Sequence, residues 1–411
     1  MKIFHFVNAP LGIDQLLSGG LGIKGGGGWT AALINKMMKE TDFNFAYAAF
    51  GDVNNLQHIQ RERIDYFVIP NKLNAAGCQP EKGLDVCRTL VESWKPDIIH
   101  VHGTEGLFGL LSARRMVKYP MVISLQGLLG PCSEWYRFFG NQSLWNIIQM
   151  HRWDELITMR GLWKGYRQIN KNAKREKEII AGNRFFMGRT SWDKAYIQML
   201  NPKAKYYYEG RILREAFWNR HWDVNKIKRH RIIFTNAKHP RKGTECLLDA
   251  AKILRSEYPD IEVAVAGSIP IRSGYGMYLR KRFKDCGGLV CELGPLNAEQ
   301  MTHELLKSHV FVSPSYIDNS PNAVSEAQLV GMPLISTYTG GLPSLIEDGR
   351  TGLFVPTGDA PMLAAKLKEI FTNDDLSVSL GNKARDRAIK RHNPDWIVQG
   401  LVEIYKNILT T

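Results

Sequence analysis

This sequence lacks paired cysteines, long apolar runs and an even balance of charge, and each absence narrows what the chain can be. Its six cysteines stand singly at 78, 87, 132, 246, 286 and 291. None forms a Cys-x-x-Cys pair, so neither a zinc site nor a disulfide framework is indicated. No apolar run reaches the ~20 residues needed to cross a bilayer. The chain opens on a strand pattern, Ile3 to Val7, with no charged-then-apolar export signal. The expected setting is a reducing cytoplasm. Internal repeats and low-complexity segments are also missing. Acidic residues are in deficit: 40 Asp and Glu face 54 Lys and Arg, a formal net charge of +14. Such an excess points to a polyanionic partner: a phosphorylated substrate, an anionic membrane face or nucleic acid. No zinc-finger spacing and no ribonucleoprotein aromatic motif accompanies it, so nucleic acid is not expected.

The 411 residues, 44% hydrophobic and 23% charged, are enough for two globular domains. Short β-rich runs alternate with helical patterns throughout. Strands are expected at 2–8, 43–50, 64–69, 97–101, 120–125, 184–188, 206–209, 231–235, 261–266, 289–292, 309–312, 333–337 and 353–355. Helical patterns lie at 28–39, 82–94, 104–117, 243–257, 275–285, 298–307 and 322–330. This alternation predicts doubly wound parallel sheets with helices on both faces. The irregular, charged segment 212–230 marks a boundary, which gives domains 1–215 and 216–385. A final helical segment, 386–411, is broken at Asn393-Pro394, where proline suits the first turn of a helix.

The densest signal lies at 313–356. Ser313-Pro314-Ser315-Tyr316-Ile317-Asp318-Asn319-Ser320-Pro321-Asn322-Ala323-Val324-Ser325-Glu326 leads through a small-residue helix to Gly331-Met332-Pro333. A strand follows, then Thr339-Gly340-Gly341-Leu342-Pro343. It reads as strand, polar turn, helix, strand, glycine turn. A helix N-terminus there would aim backbone N–H groups at an anion, and the carboxylates of Asp318 and Glu326 would accept from neutral hydroxyls. The parts suit a ligand with phosphate at one end and sugar hydroxyls around it, such as a nucleotide sugar.

This stretch resembles the signature of glycosyltransferase family 4, retaining enzymes, here of the bacterial surface-polysaccharide type. The family's usual form is Glu, seven residues, Glu, then Gly-x-Pro, a strand and a Gly-Gly turn. Asp318 and Glu326 keep that spacing, with Asp at the first position. The resemblance implies an α/β GT-B fold: two Rossmann-like doubly wound domains facing a cleft, with the C-terminal helix crossing back to the N-terminal domain. Residues 1–215 would be the acceptor side and 216–385 the nucleotide-sugar side. The segment 386–411 would pack back on the first.

Further motifs fall in the family's order. Asn236-Ala237-Lys238-His239-Pro240-Arg241-Lys242-Gly243 resembles the family's Arg, several residues, Lys-Gly segment, whose cations clamp the diphosphate. Lys242 matches the Lys. Ala237 falls where the Arg would be, and Lys238 or Arg241 could compensate. Cations there neutralise charge developing on the leaving group, and a lysine at a helix start otherwise opposes the macrodipole. Gly267-Ser268 resembles the glycine turn beside the nucleotide, and Leu293-Gly294-Pro295-Leu296 the segment that meets the base.

In the N-terminal half, Gly20, Gly22 and Gly25 fit G-x-G-x-x-G literally. The strand at 2–8 ends too early for the tight turn that motif needs. The resemblance instead puts Gly27-Gly28 before the first helix, near the donor phosphates. Asp97-Ile98-Ile99-His100-Val101-His102-Gly103 resembles the family's Pro-Asp-x-x-His-x-His segment. His100 and His102 alternate on a strand and share a face. Two such histidines could ligate a metal, but no carboxylate or cysteine partner accompanies them, so packing or sugar contact is expected. Gln126-Gly127 stands where many members have His-Gly. Glutamine cannot carry acid–base chemistry, but it can hydrogen-bond a sugar hydroxyl.

The resemblance implies a retaining transferase that moves a sugar from a nucleoside-diphosphate sugar to a glycan or lipid-linked acceptor. The expected catalytic residues are Lys242, Asp318 and Glu326. Donor contacts are expected at Gly27, Gly28, Gly267, Ser268, Asn322, Ala323, Gly340 and Gly341, and sugar or acceptor contacts at His102 and Gln126. No metal and no cofactor is expected, since no Asp-x-Asp occurs in a plausible site. A non-catalytic subunit of a polysaccharide assembly complex also fits these residues. So does another GT-B enzyme, such as a phosphorylase or epimerase. The region 134–180 interleaves Trp135, Trp145, Trp153, Trp163 and Tyr166 with arginines and lysines. Core aromatics beneath a solvated charged face is the favoured reading. The other is a peripheral contact with an anionic membrane surface, on its inner face.

Overall fold

The structure, a computed structural model, describes residues 1–8, 28–74 and 76–411. These residues form two compact units, each assembled from separated stretches. One comprises Met1–Gly130, Lys171–Ile212 and His392–Thr411; the other comprises Pro131–Asn170 and Leu213–Arg391.

The first unit is built on an eight-stranded sheet. Its strands are β1 (Lys2–Val7), β2 (Asn44–Gly51), β3 (Gln57–Arg61), β4 (Ile64–Pro70), β5 (Ile98–His102), β6 (Met121–Ser124), β7 (Phe185–Gly188) and β8 (Lys205–Tyr208). They lie in the order β3-β4-β2-β1-β5-β6-β7-β8, parallel except for the antiparallel β3–β4 pair. β5, β6 and β7 are buried at every position, as expected of parallel strands covered on both faces. Only β3 was invisible in the sequence. Gln-His-Ile-Gln-Arg carries no apolar alternation, and it survives because an edge strand needs little burial.

The helix Pro394–Leu409 begins at the expected proline, and Asn393 caps it by accepting from the N–H groups of Asp395 and Trp396. Its buried face (Ile397, Leu401, Ile404, Tyr405) joins Ile3, Phe45 and Ile98 in one core cluster. The helix expected at 104–117 is reduced to Leu110–Ala113. Gly103 adopts a positive φ of 101°, and a Cβ on Gly109 would lie 2.6 Å from Cγ2 of Ile179. The glycines there serve a turn and a close packing contact instead of a helix.

The second unit contains β9 (Lys228–Thr235), β10 (Glu262–Ala266), β11 (Val290–Gly294), β12 (Ser308–Ser313), β13 (Leu334–Thr337) and β14 (Leu353–Val355). The order is β11-β10-β9-β12-β13-β14, with every pair parallel. Inward residues such as Ile232, Phe234, Val263, Val310 and Ile335 meet Leu247, Leu248 and Ala251 of the helix Thr244–Leu254 in its core. The aromatic segment divides. Trp163 and Tyr166 pack with Phe138 and Phe139, whereas Trp145 and Trp153 are exposed, contrary to the all-core expectation.

Candidate active site

Each sheet reverses its direction of growth once. In the second unit the chain runs outward from β9 through β10 to β11, then returns to place β12 on the other side of β9. The helices that follow β9 and β12 therefore pack into separate cores on either side of the sheet, and open α/β sheets take ligands at that switch point. Lys242 follows β9 and Asp318 follows β12. Their side chains meet there, with Lys242 Nζ 2.5 Å from Asp318 Oδ2 and the two side chains 17% and 18% exposed.

Local sequence builds this meeting. Asn236 turns the chain out of β9 in the left-handed region, φ 70°, and its N–H donates to the Ala266 carbonyl at 2.9 Å. Pro240 opens a single 3-10 turn, Pro240–Lys242, and Gly243 ends it at φ 73°. A Cβ on Gly243 would fall 2.0 Å from the Pro314 carbonyl oxygen, so only glycine allows the two loops to touch. The Tyr316 N–H donates to the Arg241 carbonyl at 2.8 Å. Burial, then the charges of Arg241 and Lys242, hold the His239 pKa well below its ordinary value. Ala237, where the resemblance would put an arginine, is 1% exposed and part of the core. Lys238 is exposed and Arg241 half-buried.

The glycine turn closes on Asp318 from the other side. Gly341 N–H donates to the Asp318 carbonyl at 3.0 Å. Gly340 has φ 53°, and a Cβ there would sit 2.0 Å from the same oxygen. The helix Asn322–Val330 begins just beyond, and Pro321 gives it no side-chain cap. Glu326 is buried, and its Oε1 accepts from Arg214 Nε at 3.0 Å and Nη2 at 2.8 Å. Arg214 lies in the irregular segment 212–230, where no motif singles it out. Gly267, at φ 108°, donates to the Gly294 carbonyl at 2.7 Å and lies beside Asn236. Ser268 is exposed next to it. Lys242, Asp318, Gly267, Gly294 and Gly340–Gly341 thus lie along the carboxyl edge of one sheet.

The first unit has its switch point between β1 and β5. His5 Nδ1 and His102 Nε2 lie 2.9 Å apart across it. A second chain runs through His100. Ser124 donates to Glu209 Oε2 at 2.7 Å, so Ser124 Oγ accepts from His100 Nε2 at 2.6 Å. His100 Nδ1 then accepts the Tyr405 hydroxyl at 2.6 Å. Burial pushes all three histidines below their ordinary pKa. His102 falls to about 3, lowered first by burial and then by Arg189 and Arg211. These nitrogens lie within 4.8 Å of one another, but the rings stack, His100 on His102 at 4.0 Å. Both nitrogens of His100 are already engaged, so the trio is a hydrogen-bonded stack and not a converging ligand set. Gln126 Oε1 accepts from Arg211 Nη2 at 2.5 Å. That fixes the amide, and its buried Nε2 has no partner among the described residues. Gly28 opens the helix Gly28–Glu40; Gly27 and the literal G-x-G-x-x-G lie outside the described residues.

Residues 217–387 match the family described as glycosyl transferases group 1. This segment is a group 1 glycosyl transferase domain. The group 1 domain holds Lys242, Asp318, Glu326 and the Gly340–Gly341 turn. Among curated proteins, the chain is 31% identical over 170 residues to a D-inositol 3-phosphate glycosyltransferase of an Arthrobacter species, covering 40% of this chain and 39% of that protein. It is 23% identical over 314 residues to a sulfoquinovosyl transferase of Arabidopsis thaliana, covering 74% and 55%. The matches to the first curated relatives span 36–39% of those proteins' length. Among solved structures, sucrose-phosphate synthase from Thermosynechococcus elongatus aligns with a TM-score of 0.75 at 16% identity, covering 100% and 99% of the two chains. Anabaena HepE in complex with UDP-glucose aligns at 0.69 and 13%, covering both chains fully. The fold around the group 1 domain is GT-B.

Proposed function

We propose that this protein is a retaining glycosyltransferase that takes its sugar from a nucleoside-diphosphate sugar and passes it to a glycan or lipid-linked acceptor. One observation carries the reading: Lys242, Asp318 and the Gly340–Gly341 turn converge at the switch point of the group 1 domain. Lys242 is the cation for the diphosphate. A doubly charged phosphate chain competes with Asp318 for it, and a donor-sugar hydroxyl can then take the Asp318 oxygen. As the glycosidic bond breaks, negative charge grows on the leaving diphosphate, and a preorganised ammonium stabilises that charge more than the ground state. Glu326, held through one oxygen by Arg214, faces the ribose hydroxyls in this reading. Backbone N–H groups at Asn322 and Ala323 meet the phosphate.

Residues 216–385 hold the donor in this scheme, and 1–215, with His102 and Gln126, the acceptor side. The UDP-glucose in the HepE structure makes UDP-glucose the first donor to try. The test incubates the protein with UDP- and GDP-sugars and measures release of free nucleoside diphosphate, beside a thermal-shift screen of the diphosphates. Release that disappears in Lys242→Ala is expected. Binding of a diphosphate without any turnover, with or without acceptor, would favour a non-catalytic subunit.

A further inference from the structure

The segment Pro131–Asn170, part of the second unit, presents apolar side chains outward from two short helices. In Leu144–Gln149 the inner side is filled by Ile147, with Met150 just beyond, both buried. Leu144 and Trp145, each 68% exposed, and Ile148 face away from that core. In Trp153–Ile157 the pattern repeats. Trp153 and Ile157, four residues apart and so on one helical face, are each 81% exposed. Single exposed apolar residues are ordinary, but five within the short stretch from Leu144 to Ile157 point to an interaction surface.

The display is anchored from behind. Glu155 Oε2 accepts from the N–H of Arg152 at 3.2 Å and of Gly274 at 3.0 Å. A Cβ on Gly274 would lie 2.4 Å from the His151 Cα, so this backbone is pressed onto the start of the helix Gly274–Asp285. Ser143 caps Leu144–Gln149 by accepting from Asn146 N–H. Cations follow directly. Arg160 is exposed. Along the helix Leu162–Gly182, Lys164 and Arg167 are exposed three positions apart, on one face of the helix. The acidic residues nearby are engaged: Asp154 pairs with Arg152 at 2.9 Å, and Glu155 accepts the two N–H groups above.

A second copy of this chain would bury the apolar cluster, but it would bring more positive charge to the cations of a molecule already at +14. An anionic bilayer surface satisfies both features. Tryptophan and aliphatic side chains enter the headgroup–acyl boundary while lysines and arginines stay at the phosphates. We propose that the surface from Leu144 to Arg167 docks this protein on an anionic lipid bilayer. No helix among the described residues is long and apolar enough to cross one.

Co-sedimentation of the full chain with vesicles tests it, comparing equimolar phosphatidylcholine and phosphatidylglycerol with phosphatidylcholine alone. Binding to the mixed vesicles, weakened by high salt, is expected. Trp153→Ser with Ile157→Ser should lower the partition coefficient roughly tenfold or more, and Lys164→Glu with Arg167→Glu by about tenfold. Circular dichroism and the unfolding temperature should stay unchanged. Equal partition of the Ser variant and the parent, or no sedimentation with either vesicle, would overturn the proposal. So would a dimer, seen by light scattering, that the Ser variant dissolves.

Discussion

Lys242 and Asp318 form an ion pair 2.5 Å long between the loops that follow β9 and β12. The two residues are 76 positions apart, and each comes from one side of the sheet's switch point. The pair places one cation and one carboxylate where a diphosphate and a sugar would lie side by side. If Lys242 acts on charge that develops during bond breaking, Lys242→Ala should lower kcat by about 10²–10³-fold, with a much smaller change in nucleotide affinity. Steady-state kinetics beside calorimetric Kd values separate the two. Equal losses in binding and turnover would assign Lys242 to ground-state binding alone.

Glu326 should act on binding. Glu326→Ala is expected to weaken the free nucleoside diphosphate, and Arg214→Ala to do so less, because Arg214 only holds one oxygen of the carboxylate. A double-mutant cycle measured by calorimetry should show a coupling of about 0.5–1 kcal/mol. Unchanged affinity in Glu326→Ala would remove the ribose contact from the scheme.

Gln126 offers a single oriented donor, Nε2, because Arg211 occupies its oxygen. Loss of one neutral hydrogen bond is worth about 1 kcal/mol, so Gln126→Ala should keep measurable turnover with roughly fivefold lower kcat/KM. Gln126→Glu keeps a partner for Arg211 but removes the donor, and it should lose at least as much. Abolished activity in a folded Gln126→Ala protein would mean that the residue does more than hold a hydroxyl.

Glu245 should make stability fall as pH rises. Burial pushes its pKa up to about 7, although Tyr275 donates to it at 3.1 Å. An unfolded glutamate ionises near pH 4.3. Between those values the folded state binds the proton and the unfolded state does not, so stability declines with rising pH across that window. Glu245→Gln removes this slope. The difference in unfolding free energy between variant and parent should shift in the variant's favour by about 3–4 kcal/mol from pH 4 to pH 8. Parallel urea curves at both pH values would show that Glu245 titrates normally. The buried His102 works in the opposite sense: its folded pKa, about 3, lies below the ordinary 6.5, so its share of stability is lost as pH falls below 6.5.

Much of this was legible in the chain itself. Continuous apolar runs mark strands buried on both faces, and their alternation with helical periods announces doubly wound sheets. The signature from Ser313 to Pro356 predicted the strand, turn, helix and glycine turn that the structure shows there. Such features are legible because periodicity, proline placement and positive φ at Gly340 are properties of neighbouring residues. The extra strand Gln57–Arg61 left no mark because an edge needs no apolar face.

What tertiary structure decided is which distant side chains meet. Arg214 and Glu326 are 112 residues apart, and His100 and Tyr405 are 305 apart. Neither pairing leaves a local pattern, since each depends on which strands the sheet order makes neighbours. The aromatic segment shows the same limit. Trp145, Trp153 and Trp163 look alike in sequence, but Trp163 lies among other rings while Trp145 and Trp153 face outward. A tryptophan favours burial wherever a neighbour covers it, and only the fold determines where that cover exists.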